Sequence, residues 1–200
     1  MPNVSSKEQF IKELKKFTNT SHGNNIEIDF LNEIIINETE ADGRGEIYLD
    51  ISNYTTNENF FIKITHQPNH SIGENVNHND GIVLKVNLIN KQVDIFMFEL
   101  KTQLRFSNLK TASKQLASAY KFMKYLHLEE CFNVNYKFFL VYNINNIERD
   151  SDELKGNKNY YDMLFEAVYE KKDKIPLMVP LCKYKEYDFA QLNFGARITI

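Results

Sequence analysis

Hydrophobic spacing divides the chain into short, separable elements. After Ser5 and Ser6, the residues Phe10, Ile11, Leu14 and Phe17 recur at helical intervals and predict a helix over 6–17, which TNTSHGNN then breaks. Residues 26–37 carry two patterns: IEID alternates like a strand, while Phe30, Leu31, Ile34 and Ile35 fit a helical face, and a short helix is the expectation. Beyond the turn signal ADGRG, the runs EIYLDIS and NFFIKITH alternate and are rich in β-branched and aromatic residues, so they predict two strands, the second entering the polar loop PNHSIGENVNHN.

Gly81 to Leu88 and Val93 to Leu100 are apolar runs joined by INKQ, which predicts a β-hairpin. The second run, VDIFMFEL, is apolar on both faces and belongs inside a covered sheet. From Asn108 the period changes: Leu109, Ala112, Leu116, Ala119, Met123 and Leu126 form a helical stripe. YKFFLVY, within Asn135 to Asn143, predicts a further buried strand that crosses back over this helix. Asp150 to Asn159 reads as a polar loop, YYDMLFEAVYEK as a helix, IPLMVPL as an edge strand bounded by Pro176 and Pro180, and LNFGARITI as one more strand.

Alternating strands and helices in 200 residues imply one α/β domain with a central mixed sheet flanked by helices. The expected division is an N-terminal elaboration over about 1–58, a core over about 59–143, and a C-terminal helix with strands over about 144–200. A hydrophobic share of 42% with 15 Phe and 11 Tyr is enough to pack a core without crosslinks, and it argues against disorder. Cys131 and Cys182 are far from any metal-binding spacing and are expected to be buried free thiols. No apolar run approaches 18 residues and the opening residues are polar, so a cytoplasmic protein without a membrane partner is expected.

The net charge of −3 conceals a strong asymmetry. Residues 27–50 contain eight acids against the single base Arg44, whereas residues 101–128 contain Lys101, Arg105, Lys110, Lys114, Lys121 and Lys124 and no acid. The second segment would attract a polyanion.

Asp80, Glu99 and Lys101 carry the candidate chemistry. Hydrolysis of a phosphodiester needs divalent cations held by carboxylates, and a cation to orient water or neutralise charge gathering on the phosphoryl oxygens. Two residues apart on a strand, Glu99 and Lys101 project from one face, with Leu100 turned the other way and its carbonyl a further metal ligand. Pairing through INKQ brings Asp80 alongside Glu99. Three other Glu-x-Lys sequences, at Glu13, Glu153 and Glu170, lie in expected helices or a polar loop, and only Glu99 belongs to an apolar strand preceded by a hairpin acid.

From Asn79-Asp80 to about Asn143 the chain resembles the PD-(D/E)xK phosphodiesterase superfamily of restriction-endonuclease-like nucleases, although Asn79 stands where that family usually has Pro. The resemblance implies a restriction-endonuclease-like core in which Asp80 and Glu99 bind Mg²⁺ or Mn²⁺ and Lys101 assists the attacking water. It also suggests an extra carboxylate from an N-terminal helix, for which Glu13 and Glu33 are candidates. Gln103, Arg105, Lys110, Lys114 and Gln115 are candidate nucleic-acid contacts, the lysines lying largely opposite the apolar helix face. His66, His70 and His78 have no zinc spacing, and phosphate-loop and nucleophile-elbow motifs are absent from the sequence. The expected function is metal-dependent cleavage of DNA in restriction, defence or repair, with a homodimer if both strands of a duplex are cut. The alternatives are an RNA-cleaving nuclease and a non-catalytic nucleic-acid- or partner-binding protein that retains the fold.

Overall fold

The computed structural model describes residues 4–18, 25–28, 32–38, 45–51, 56–65, 79–145, 173–179 and 183–200. Among these residues two α-helices, α1 (Lys7–Thr18) and α2 (Phe106–Tyr125), accompany ten strands: β1 (Asn25–Ile28), β2 (Glu33–Asn37), β3 (Glu46–Asp50), β4 (Asn59–Thr65), β5 (Gly81–Asn87), β6 (Gln92–Leu104), β7 (Asn133–Asn145), β8 (Lys174–Val179), β9 (Lys183–Asn193) and β10 (Arg197–Thr199). Seven strands form a mixed sheet in the order β1-β4-β5-β6-β7-β9-β8, and β10-β3-β2 form a second sheet.

The α/β class and the central mixed sheet expected from the sequence are present. The strands β4, β5 and β6 form an antiparallel meander, α2 returns the chain, and β7 pairs parallel to β6. Because β7 starts opposite Gln92, α2 must run antiparallel to both neighbouring strands. Its predicted stripe is buried throughout, from Leu109 to Leu126, together with Tyr120 and Phe122, so α2 is covered over a wider arc than its spacing implied.

β6 is central because both its faces are apolar. Val93, Ile95 and Met97 join α1, α2 and Phe138 in one cluster. Phe96, Phe98 and Leu100 join Val83, Val141, Ile34, Ile36 and Leu49 in another, beneath the smaller sheet. β6 continues to Leu104, so Glu99 lies within the strand and not at its end.

The expected helix over 26–37 is replaced by strands β1 and β2. In β2, Ile34 and Ile36 are buried and Ile35 is exposed, and the pairs Ile34↔Leu49 and Ile36↔Ile47 satisfy an apolar pattern that mimicked a helical face. β8 is an edge strand as expected, with Pro176 opposite Glu186. The C-terminal expectation was too small: KYKEYDFAQLN forms β9 between β7 and β8, and ARITI contributes β10 to the smaller sheet, parallel to β3. The expected loop and helix over 150–171, and His66, His70, His78 and Cys182, lie outside the described residues. Cys131 forms no disulfide with any described residue and is half-buried, not fully buried, against the first cluster.

At Gly81, Ile36 of β2 packs directly against the backbone of the main sheet. A Cβ there would stand 2.8 Å from Ile36 Cδ1 and 3.1 Å from its Cγ2. Gly81→Ala is therefore expected to cost about 1–3 kcal/mol by overpacking. Urea unfolding should show Ile36→Val, which deletes Cδ1, recovering part of that loss in the double variant; additive losses would place the strain elsewhere.

Candidate active site

Alternation along β6 carries Glu99, Lys101 and Gln103 onto the face shared by Val93, Ile95 and Met97, the face covered by the helices. Lys101 Nζ lies 2.9 Å from Glu99 Oε1, with the two side chains 3% and 0% exposed. A solvated ion pair at a strand end is thus ruled out. With so little solvent, each charge depends on the other, because an isolated buried ion is heavily penalised.

Asp80 reaches this strand through an irregular entry to β5. Gly81 is the residue registered against Phe98, yet the Asp80 N–H also points to the Phe98 carbonyl, at 3.1 Å. Two residues facing one is the signature of a bulge, which bends a strand and re-aims side chains. Asp80 Oδ2 then accepts the Leu100 N–H at 2.7 Å, so its carboxylate sits at the Glu99–Leu100 peptide. A sequence separation of 20 residues between Asp80 and Leu100 thus collapses to a hydrogen bond, as the hairpin implied. Leu100 packs its side chain into the second cluster.

Asn79 has a definite part in the bulge. Its Nδ2 donates to the Gly81 carbonyl at 2.7 Å and approaches the Phe98 carbonyl at 3.4 Å, bonds that Pro could not make. Asn79 is buried, and its Oδ1 has no hydrogen-bond partner among the described residues.

The expected nucleic-acid contacts do not share one environment. Gln103 is half-buried, and its Oε1 accepts from Arg105 at 2.9 Å; Arg105 is exposed at the start of α2. Lys114 is exposed, Gln115 is buried, and the Lys110 side chain lies outside the described residues. The basic stripe does not run beside the site as a whole. Lys101 is buried, and Lys124, roughly 27 Å along α2 at about 1.5 Å per residue, lies at the opposite end of the sheet. There it ion-pairs with Glu129 and covers the Tyr120 and Tyr136 rings.

Neither extra carboxylate joins the site. Glu33 belongs to β2, on the far side of the sheet, and pairs with Arg197 at 3.0 Å; Glu13 pairs with Lys16 on α1. Among the described residues no group of three or more His, Cys, Asp or Glu side chains could hold a metal, leaving Asp80 and Glu99 as the acidic donors. A hollow of about 180 Å³ that includes Phe61, Lys85 and Asp94 lies at the other end and on the other face of the sheet, remote from Glu99.

Sequence reasoning missed Tyr142 and Gln191. Tyr142 stands opposite Lys101 on β7, and its hydroxyl donates to Gln191 Oε1 on β9 at 3.0 Å; burial raises the phenol's pKa, keeping it a neutral donor. YKFFLVY read only as a buried strand, and β9 was not recognised, so no local signal joined the two.

The expected stability cost of removing Glu99 follows from the pair. A carboxylate taken from a purely repulsive acidic site would be lost cheaply, whereas Glu99→Ala breaks a buried ion pair and should cost about 3–5 kcal/mol. Chemical denaturation should show the double variant Glu99→Leu/Lys101→Met more stable than either single change. Single changes that cost nothing would mean that water reaches the pair freely.

Compared with family models, curated proteins and solved structures, the chain has no significant match in any of the three.

Proposed function

We propose that this protein is a metal-dependent nuclease that hydrolyses DNA phosphodiester bonds, built on a restriction-endonuclease-like core of the PD-(D/E)xK type. The observation that carries the reading is the arrival of the Asp80 carboxylate at the Glu99–Leu100 peptide, beside the buried Glu99–Lys101 pair. The meander β4-β5-β6, the return through α2 and the parallel partner β7 support the same reading, since this connectivity presents a hairpin acid and a Glu-x-Lys strand side by side.

The donor set suits a hard cation. Two carboxylates with the Leu100 carbonyl are oxygen ligands of the kind that hold Mg²⁺ or Mn²⁺, which keep waters and accept substrate phosphate oxygens in their remaining positions. Such an ion would supply Lewis acidity and lower the pKa of a bound water. Lys101 is held beside Glu99 where an ammonium can orient a water or offset charge on a phosphoryl oxygen. The Leu100 N–H fixes Asp80 in advance, which reduces the reorganisation required on binding.

One observation favours a second reading. Asp80, Glu99 and Lys101 are only 4%, 0% and 2% exposed. Closed to this extent, the same three residues would serve a non-catalytic protein that retains the fold and uses them to lock β5 against β6. Cleavage of RNA is a further outcome of the substrate comparison, because the metal geometry suits either backbone.

With plasmid DNA, single-stranded DNA and RNA as substrates, Mg²⁺ or Mn²⁺ should support cleavage and EDTA should stop it. Glu99→Gln and Asp80→Asn should reduce turnover by at least about 10³-fold while circular dichroism remains native, the order of loss expected when an electrostatic stabiliser is removed. No cleavage by folded wild-type protein on any of these substrates would favour the non-catalytic reading.

A further inference from the structure

The helix-side face of the main sheet changes character along three adjacent parallel strands. Where β6 and β7 begin, this face is apolar: Val93, Ile95 and Met97 on β6, then Phe138 and Leu140 on β7. Toward the strand ends it becomes polar in register. Glu99, Leu140 and Gln191 form one row across β6, β7 and β9; Lys101, Tyr142 and Asn193 form the next; Gln103 and Ile144 form the last. The carboxyl ends of parallel strands are where open α/β sheets receive ligands.

Exposure rises along the same direction. Glu99 is 0% exposed, Lys101 2% and Tyr142 8%, whereas Ile144 is 45% exposed. Gln103 is half-buried, and Asn193 and Arg105 are open to solvent. Among the described residues, exposure on this face is therefore greatest at the ends of these strands. Ile144 is conspicuous there: a large exposed aliphatic side chain registered beside Gln103, next to a row ending in Asn193, with an arginine one residue beyond β6.

We infer that Ile144, with Gln103 and Asn193 on either side, is the nucleotide-binding mouth of the site, and that it takes an unpaired nucleotide of a single-stranded or locally opened strand. This rests on the nuclease reading above. The chemistry matches that ligand in three respects. An exposed aliphatic surface packs against the face of an unstacked base. Neutral side-chain amides can both donate to and accept from a base edge. Arg105, at the entrance, supplies charge for the phosphate that follows. A paired base would present neither its face nor its pairing edge to such a shelf. The Tyr142–Gln191 hydrogen bond ties β7 to β9 behind the mouth, holding the shelf at a constant width.

The test uses the full chain and two substitutions of opposite sign at a surface position. Fluorescence anisotropy would measure binding of short single-stranded DNA, single-stranded RNA and a hairpin duplex, with Ca²⁺ replacing Mg²⁺ to prevent turnover. Ile144→Trp should tighten single-strand binding at least about threefold by offering a larger stacking surface, and Ile144→Asp should weaken it about tenfold, with melting temperatures unchanged. Duplex binding should respond to neither. The DNA or RNA arm that responds identifies the backbone accepted. If wild-type protein binds single strands and both variants bind them equally well, the mouth lies elsewhere and the nuclease reading stands. Binding confined to duplex overturns the unpaired-nucleotide inference by itself. Absence of both binding and cleavage for wild-type protein removes the nuclease reading and this inference together.

Discussion

The ion pair between Glu99 and Lys101 is the constraint around which the rest of the site is arranged. Both side chains project from the middle of a strand buried on both faces, at a position where apolar residues would ordinarily continue the pattern of Val93, Ile95 and Met97. Two opposite charges separated by 2.9 Å can tolerate that setting; either one alone would force hydration or neutralisation. Replacing such pairs with hydrophobic residues is often neutral or stabilising, so stability alone does not account for the pair.

The surrounding architecture keeps that strand from shifting. On the far face, Glu38 accepts from the Thr102 N–H at 3.2 Å and from its hydroxyl at 3.0 Å, while also accepting from Gly45 N–H at 3.3 Å, so a single buried carboxylate ties the smaller sheet to β6 one residue beyond Lys101. Ile34, Ile36 and Leu49 press on Phe98 and Leu100 from the same side, and a stacked contact between Phe98 and Phe139, with ring centroids 4.6 Å apart, joins β6 to β7. The smaller sheet thus acts as a backing plate for the strand that carries the candidate chemistry.

Asn79 alters what the departure from the Pro-Asp pattern means. Proline would restrict the backbone entering β5, and Asn79 reaches a comparable end with side-chain bonds to the carbonyls of Gly81 and Phe98. One chemistry constrains a dihedral angle and the other staples the bulge that aims Asp80 at Leu100. The turn into β5 is thus held by side-chain bonds at the position where the resemblance would place a proline.

By itself the sequence determined the elements whose signals are local. The stripe from Leu109 to Leu126 specified α2, the INKQ link specified the hairpin, and the two-faced apolar run VDIFMFEL specified a central strand in which a Glu was anomalous. Strict alternation also put Glu99 and Lys101 on one face, and a hairpin of known length brought Asp80 within reach. Only the tertiary structure decided what depends on partners distant in sequence. Residues 33–37 became a strand because β3 offered Ile47 and Leu49 in register, a choice that an apolar run compatible with either period cannot make alone. The burial of Lys101, the separation of Lys124 from the site by the length of α2, and the placing of Tyr142 and Gln191 beside the pair all follow from how strands order themselves in a sheet. That order is set by packing among segments up to 164 residues apart, as in the Arg197–Glu33 contact, and no window along the chain contains it.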